Sequence, residues 1–442
     1  MADTNKNKQF FTVARVFFLL IVIPLSLMAI LIANGIFKLG VTIKEGAVNV
    51  LDQKSQQEIK MRAVNTAEEV AGFLNERRKD LLVATIIPST ETAFKQFVRE
   101  NQKPLWVRED GKVHQILSYL YTEMGLTDQS GNELIRIVNG EAIAKEKLIN
   151  VGKPANTLYK TEDYFARAKA LKRGEVYVSH VNGWYVNRPD FEKGRRFSGI
   201  IRFATPVFDQ QGFSGVLTLA LDYRHLAAFT DHLVPTQTGH VFEAEVGSPT
   251  GNYAYMVDNR GLVISHPYDY HIAGLSPDGT PVAALTEKNS AEMSPKGMAV
   301  LDFNLLGFLD PNLPKVHQDA VMGNSGLQIY KFAGHTKLVA YAPIKFYSRD
   351  YPAPSGFGWI GMGLDVEKYN ELAVETSRKI EKEAQSWTTT IIVILVLSVI
   401  LLFLILALLA RGVSRSIASE VPADAQEAGK PYDDDDEEED DR

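Results

Sequence analysis

The side chains best suited to gripping a small molecule crowd into one stretch, Glu162 to Leu226. Tyr164, Phe165, Tyr177, Ser179, Trp184, Tyr185, Arg188, Arg195, Arg196 and Arg202 all fall there. Aromatic walls with a few convergent polar groups are how proteins enclose small organic ligands. An arginine adds two parallel, charge-assisted hydrogen bonds for a carboxylate. The expected ligand-binding residues are therefore Tyr164, Tyr177, Ser179, Trp184, Tyr185, Arg188, Arg196 and Arg202, and the expected ligand is small, organic and anionic. The plainer reading makes Tyr177 a core residue and Arg188, Arg195 and Arg196 a solvated loop. Should the site lie elsewhere, Tyr255, His266 and Tyr341 are the next candidates.

No spacing in the chain points to catalysis. HExxH, Walker A, GxGxxG and GxSxG patterns are absent. The nine histidines are scattered, and the closest pair, His266 and His271, sits on a Pro-flanked stretch rather than at helical i, i+4 spacing. There is no cysteine, which excludes disulfides, thiolate chemistry and cysteine metal sites. The expectation is no catalytic residue, no metal, no cofactor and no enzyme activity. The net charge of −7 is concentrated: residues 411–442 hold 4 Lys/Arg and 12 Asp/Glu, a net of −8, leaving +1 for the rest. A body so nearly neutral has no field to attract nucleic acid.

Positioning these residues requires a sheet. Ile200 to Phe208 is rich in β-branched and aromatic residues, Asp209-Gln-Gln-Gly212 supplies turn chemistry, and Val216 to Asp222 alternates until a helical pattern begins at Tyr223. Glu175 to Ser179 reads as a further strand, whose alternation places Tyr177 and Ser179 on one face. Tyr121 to Val138 reads as strand, Asp-x-x-Gly turn and strand, ending beside Arg136. This is a curved antiparallel sheet with a concavity beside it.

Tyr164-Phe165, Gly174-Glu-Val-Tyr-Val-Ser179, Ile201-Arg-Phe-Ala-Thr-Pro-Val-Phe208, Gly212 and Gly215-Val216 resemble double Cache domains. These are the extracytoplasmic ligand-sensing domains of bacterial chemoreceptors, sensor kinases and diguanylate cyclases. The resemblance covers about residues 40–230 and, more loosely, 231–375. It implies a PAS-like α+β fold and a sensing role. Amino-acid-sensing members carry an Arg-x-Trp-Tyr run where this chain has Glu162-Asp-Tyr164-Phe165, so recognition of an amino acid does not carry over.

An internal repeat supports two such modules. Asp128-Gln-Ser-Gly131 recurs as Asp258-Asn-Arg-Gly261, Ala204-Thr-Pro206 as Ala342-Pro343, and Leu221-Asp222-Tyr223 as Leu364-Asp365-Val366. Three strand–turn features in one order mean two copies of one α+β unit with insertions in the second. Residues 38–87 form a long helix, with Ala63, Ala67, Val70, Leu74 and Leu81 at a/d spacing and Pro88 ending it. That stripe either packs only on its own modules, or its first half is also the stalk of a parallel homodimer.

Two uncharged runs, Val16 to Phe37 and Thr388 to Ala410, are long enough to span a bilayer. The expected organisation is a cytoplasmic N-terminus (1–15), first span (16–37), stalk helix (38–87), membrane-distal module (88–230), membrane-proximal module (231–375), connecting helix (376–387), second span (388–410) and a tail (411–442). That tail opens like a HAMP linker and ends in nine acids, Asp433 to Asp441. The resemblance places the large domain outside a bacterial inner membrane and both termini in the cytoplasm. Without an output domain in these residues, the expectation is a sensor that signals through a separate kinase, cyclase or receptor. The alternative is an envelope adaptor, a structural protein or a truncated receptor remnant.

Overall fold

The computed structural model describes residues 15–16, 18–109, 112–231, 233, 235 and 251–420. The acidic run lies outside the described residues, as does most of the linker between modules. The chain divides into a unit of Asp52–Glu371 and a unit of Met1–Leu51 with Leu372–Arg442.

In the second of these units, Gln385–Leu409 has a mean hydropathy of 3.6 and is long and apolar enough to cross a membrane, while Leu19–Ile32 is a shorter apolar helix. The C-terminal run belongs to a helix, Val366–Glu420, that begins at the residue after the last strand.

The Asp52–Glu371 unit is built on α1 (Ile23–Ala84), whose part from Asp52 onward belongs to it. Ala63, Ala67, Val70, Leu74, Leu81 and Ala84 are buried, in one core cluster with residues from both sheets. The a/d stripe therefore packs on its own modules. It is not available as a homodimer surface, because the surface it would offer a second chain is already covered. After α2 (Glu91–Glu100), capped by the Thr90 hydroxyl, come the hairpin β1 (Gln102–Glu109) and β2 (Lys112–Tyr119).

The first module's sheet contains β3 (Tyr121–Thr127), β4 (Glu133–Val138), β5 (Glu141–Ala142), β6 (Tyr177–Val178), β7 (Asn182–Trp184), β8 (Ser198–Asp209) and β9 (Gly212–Asp222). Their order is β5-β4-β3-β9-β8-β6, with β7 also paired to β8, all antiparallel. The strand expected from Glu175 to Ser179 shrinks to Tyr177–Val178. Two short helices, α3 (Tyr164–Lys169) and α4 (Arg188–Glu192), lie in the connections, and α5 (Tyr223–Asp231) follows β9 directly.

The second sheet has order β11-β10-β14-β13-β12, with β10 (Tyr253–Asp258), β11 (Val263–Ser265), β12 (Gly326–Phe332), β13 (His335–Ile344) and β14 (Gly358–Asp365). Alternation along its strands separates two faces. Ala254, Met256, Ala340, Ala342, Ile360 and Met362 join the core that holds α1, whereas Tyr255, Val257, Val339, Tyr341 and Trp359 pack with the helix at Asn312–Val321. The repeat read in the sequence reappears as matched turns. Asp128 accepts hydrogen bonds from the amides of Ser130 and Asn132, and Asp258 from those of Arg260 and Leu262. Gly131 and Gly261 supply the left-handed backbone at φ +85° and +99°.

Candidate ligand-binding site

Period-2 alternation also divides the first sheet. Ile201 and Phe203 of β8 face α1, so Ile200, Arg202 and Ala204 face the other way, where they meet the segment that carries Tyr159 and Tyr164. On β4, Ile137 enters the α1 core and Arg136 the opposite face. An irregularity in the β3–β9 register between Tyr121 and Glu123 lets Tyr121 and Met124 both reach the α1 core, which turns Glu123 to the other face.

That face holds a buried ionic chain. Arg136 Nη2 donates to Glu123 Oε2 at 2.7 Å, Arg202 Nη1 donates to Glu123 Oε1 at 2.5 Å, and Arg202 Nε donates to Glu162 Oε1 at 2.6 Å. Glu133 joins at 3.7 Å from Arg136 and accepts the Ile149 amide at 3.0 Å. The Arg202 guanidinium lies over the Tyr164 ring at 4.4 Å, a favourable cation–π approach. Arg202 is 2 % exposed and Glu162 4 %. Isolated charges at such depth would each cost several kcal/mol, so the geometry must be good for the chain to persist. Burial alone would raise Glu123, but Arg202 and Arg136 outweigh it and hold the carboxyl below its usual range. Burial raises Glu133. The same pairing lifts Arg202 well above an ordinary arginine against its own desolvation. Glu162 Oε2 is buried and has no hydrogen-bond partner among the described residues.

The expected site residues divide into two groups. Tyr164, Tyr177, Ser179 and Arg202 gather around β8. Tyr177 packs with Tyr164 and Ala204, and its hydroxyl donates to Asp163 at 3.2 Å. Ser179 Oγ accepts the Arg202 amide at 2.9 Å and donates to the His180 carbonyl, which fixes the local backbone. Arg202, expected to grip a ligand carboxylate, is instead paired to two glutamates; a buried guanidinium in an apolar sheet needs its counter-charge within the protein.

Trp184, Tyr185 and Arg188 belong to the contact between the modules, and Arg196 lies on the loop beside it, bonded to the Phe191 and Arg195 carbonyls. Trp184 bridges Leu275 through its backbone and stacks obliquely on Tyr159 at 5.1 Å. The Tyr185 hydroxyl donates to the Tyr270 carbonyl and accepts the Ala299 amide; burial raises it to about 12. The exposed Arg188 and Arg196 pair with Glu192 and the Phe191 ring. Across the same contact, Tyr351 donates to the Ser179 carbonyl, His180 meets Asn259 at 3.2 Å, and Asp269 accepts the Phe197 amide at 2.6 Å. The segment 179–197 is thus held between the two modules.

Glu123, Glu133 and Glu162, which complete the ionic chain, were not among the residues expected from the sequence. Their signal was a charge at a position where alternation demands burial: Glu123 and Arg202 interrupt strands of apolar residues, and such charges need each other. In the second module, Tyr255 and Tyr341 line the aromatic core, with the Tyr255 and Tyr330 hydroxyls 2.9 Å apart. His266 and His271 rings approach to 4.7 Å, and burial lowers His271 to about 4. No cluster that could hold a metal ion occurs among the described residues.

A sequence model of the Cache domain matches residues 44–362, and the chain belongs to that family. Similar solved structures include the extracellular domain of the putative histidine kinase vpHK1S-Z8, at 15% identity and TM-score 0.44, covering 73% of this chain and 95% of that one. A domain of a putative sensory box/GGDEF family protein from Vibrio parahaemolyticus is 16% identical, with TM-score 0.41 and coverage of 71% and 96%. The ligand-binding domain of the Pseudomonas fluorescens chemoreceptor CtaA, in complex with L-leucine, is 13% identical, with TM-score 0.38 and coverage of 72% and 98%. No curated protein matches.

Proposed function

We propose that this protein is a membrane-anchored, non-catalytic sensor that binds a small organic molecule on the β8 face of the first module. The Cache unit lies outside the inner membrane of a bacterium, and the signal passes to a separate signalling protein. The observation that carries this reading is the double attachment of segment 179–197: it borders the buried site and is hydrogen-bonded to the second module. A ligand that moves this segment moves its partners in the second module. From that module, β14 runs into the Val366–Glu420 helix without an intervening loop. The reading includes a homodimer. With the α1 stripe buried, the apolar runs at Leu19–Ile32 and Gln385–Leu409 are what would join two copies.

The test is a ligand screen by thermal shift on the full chain in nanodiscs, followed by amide exchange with the hit. Binding should slow exchange in residues 177–202 and alter it in 258–275. A hit that protects only the first module would argue for a binding protein without transmission. External protease on spheroplasts should degrade the Cache unit; protection of it would reverse the topology.

A further inference from the structure

Three members of the ionic chain stand on strands: Glu123 on β3, Arg136 on β4 and Arg202 on β8. Glu162 does not. It belongs to residues 157–163, a segment without helix or strand that leads into α3. The turns of this segment close on themselves: the Lys160 amide donates to the Thr157 carbonyl at 3.1 Å, and the Glu162 amide to the Thr157 hydroxyl at 3.4 Å. Among the described residues, no backbone–backbone hydrogen bond ties 157–163 to either sheet. Side chains hold it instead. Glu162 grips Arg202 at 2.6 Å, and Tyr159 packs with Ile200 and Ala220 of the first sheet and with Leu275 of the second module. Ala220 is the register partner of Arg202, so both lie on the face that the segment covers. Lys160 Nζ donates to the Pro277 carbonyl at 2.8 Å. Gly279, at φ +90°, lets the two chains touch: a β-carbon there would lie 3.0 Å from the Tyr159 carbonyl oxygen and 2.9 Å from the Lys160 β-carbon.

We propose that 157–163 is a strap closed over the β8 face, that the Glu162–Arg202 pair is its latch, and that opening it uncovers the face and frees residues 275–279 of the second module in one movement. This rests on the sensor reading above and adds how its site opens. Glu162 is the member placed to leave. It has one partner in the chain, whereas Arg202 keeps Glu123 at 2.5 Å when Glu162 departs. A buried ion pair gains little over its two hydrated ions, because desolvation offsets the attraction, so such a latch opens at little cost once Glu162 reaches water. Local openings favour segments with few backbone bonds to the rest of the fold, as here. Tyr159, Lys160 and Glu162 lie within four residues and touch both modules, so the segment cannot leave one without loosening its hold on the other.

Amide exchange and thiol labelling of the full chain in nanodiscs test it without a ligand, so the outcome is separate from that of the ligand screen. Glu162→Gln should speed exchange about tenfold or more in residues 158–165 and 275–280, and leave β3, β4 and β9 within about twofold of the parent. Ala220→Cys places a thiol against Tyr159 in a chain without other cysteines; it should react with maleimide about tenfold faster once Glu162→Gln is added. Lys160→Met alters an exposed side chain and serves if the Gln variant fails to fold; it should speed exchange across 158–163 as well as 275–280. Unchanged exchange or unchanged labelling in Glu162→Gln overturns the proposal. Faster exchange spread evenly over the first module overturns it too, since the pair would then belong to the common core. A Lys160→Met effect confined to 275–280 overturns the single movement.

Discussion

Tyr351 of the second module donates a hydrogen bond to the backbone carbonyl of Ser179 in the first, at 2.8 Å, and both residues are buried. Ser179 in turn accepts the Arg202 amide, so one hydroxyl of the second module is two bonds from the ionic chain. Tyr351→Phe keeps the ring and leaves that carbonyl unpaired. It should cost about 1–3 kcal/mol, the range for a buried polar group without a partner. Urea denaturation of the full chain measures the loss, and amide exchange should rise first in residues 177–185. Unchanged exchange there would mean that the modules are held by other contacts.

Removing Arg202 strands two glutamates. Arg202→Met should destabilise by about 3–5 kcal/mol, the scale for an uncompensated buried charge. Adding Glu162→Gln should restore part of it, because Glu123 retains Arg136. The two single variants and the double form a thermodynamic cycle read by thermal or urea melts. Additive losses would mean that the pair is not coupled.

Stability should also fall toward alkaline pH. Burial, and then the charge of Asp269, push Asp231 up to about 8; burial pushes Asp269 up to about 6. A carboxyl raised above its unfolded value near 3.9 contributes stability below that value, and the contribution is lost as pH rises through the folded one. The decline should therefore run through about pH 6 and continue to about pH 8. Asp231→Asn should flatten its upper part, as read from melting temperatures at pH 5, 7 and 9. An identical profile in the variant would refute the assignment.

The a/d stripe and the apolar C-terminal run make opposite predictions about association. Val70→Glu buries a charge in the α1 core and should destabilise by about 3–5 kcal/mol in a monomer or a dimer alike. Leu397 is exposed within Gln385–Leu409, and the chain has no other cysteine, so Leu397→Cys gives a clean probe. Oxidation in native membranes should yield a cross-linked pair. Cross-linking absent at Leu397 and at its neighbours along the helix would remove the dimer.

Much of the fold was legible because its signals are local. The hairpin of β8 and β9 follows from alternation and the Asp209–Gly212 turn, and the doubled Asp-x-x-Gly turns announced two sheets. The site was only half legible. Arginines in an aromatic stretch looked available, since a sequence does not say which carboxylate lies opposite. Glu123 and Glu162 reach Arg202 from 79 and 40 residues away. Glu123 also depends on an irregularity in strand register that no alternation rule anticipates. Trp184 and Tyr185 show a related difficulty: contact with a second module looks, in composition, like contact with a ligand.

The alternating order Arg136, Glu123, Arg202, Glu162 has a consequence for how this lineage can diversify. Each inner member neutralises two neighbours, so a single charge reversal leaves an unbalanced charge in the core, whatever it gains at the ligand. Changes of charge are then reached through compensated pairs of substitutions, or at Glu162, where the chain ends and one neighbour suffices. Among close homologues Arg136, Glu123 and Arg202 should therefore vary together.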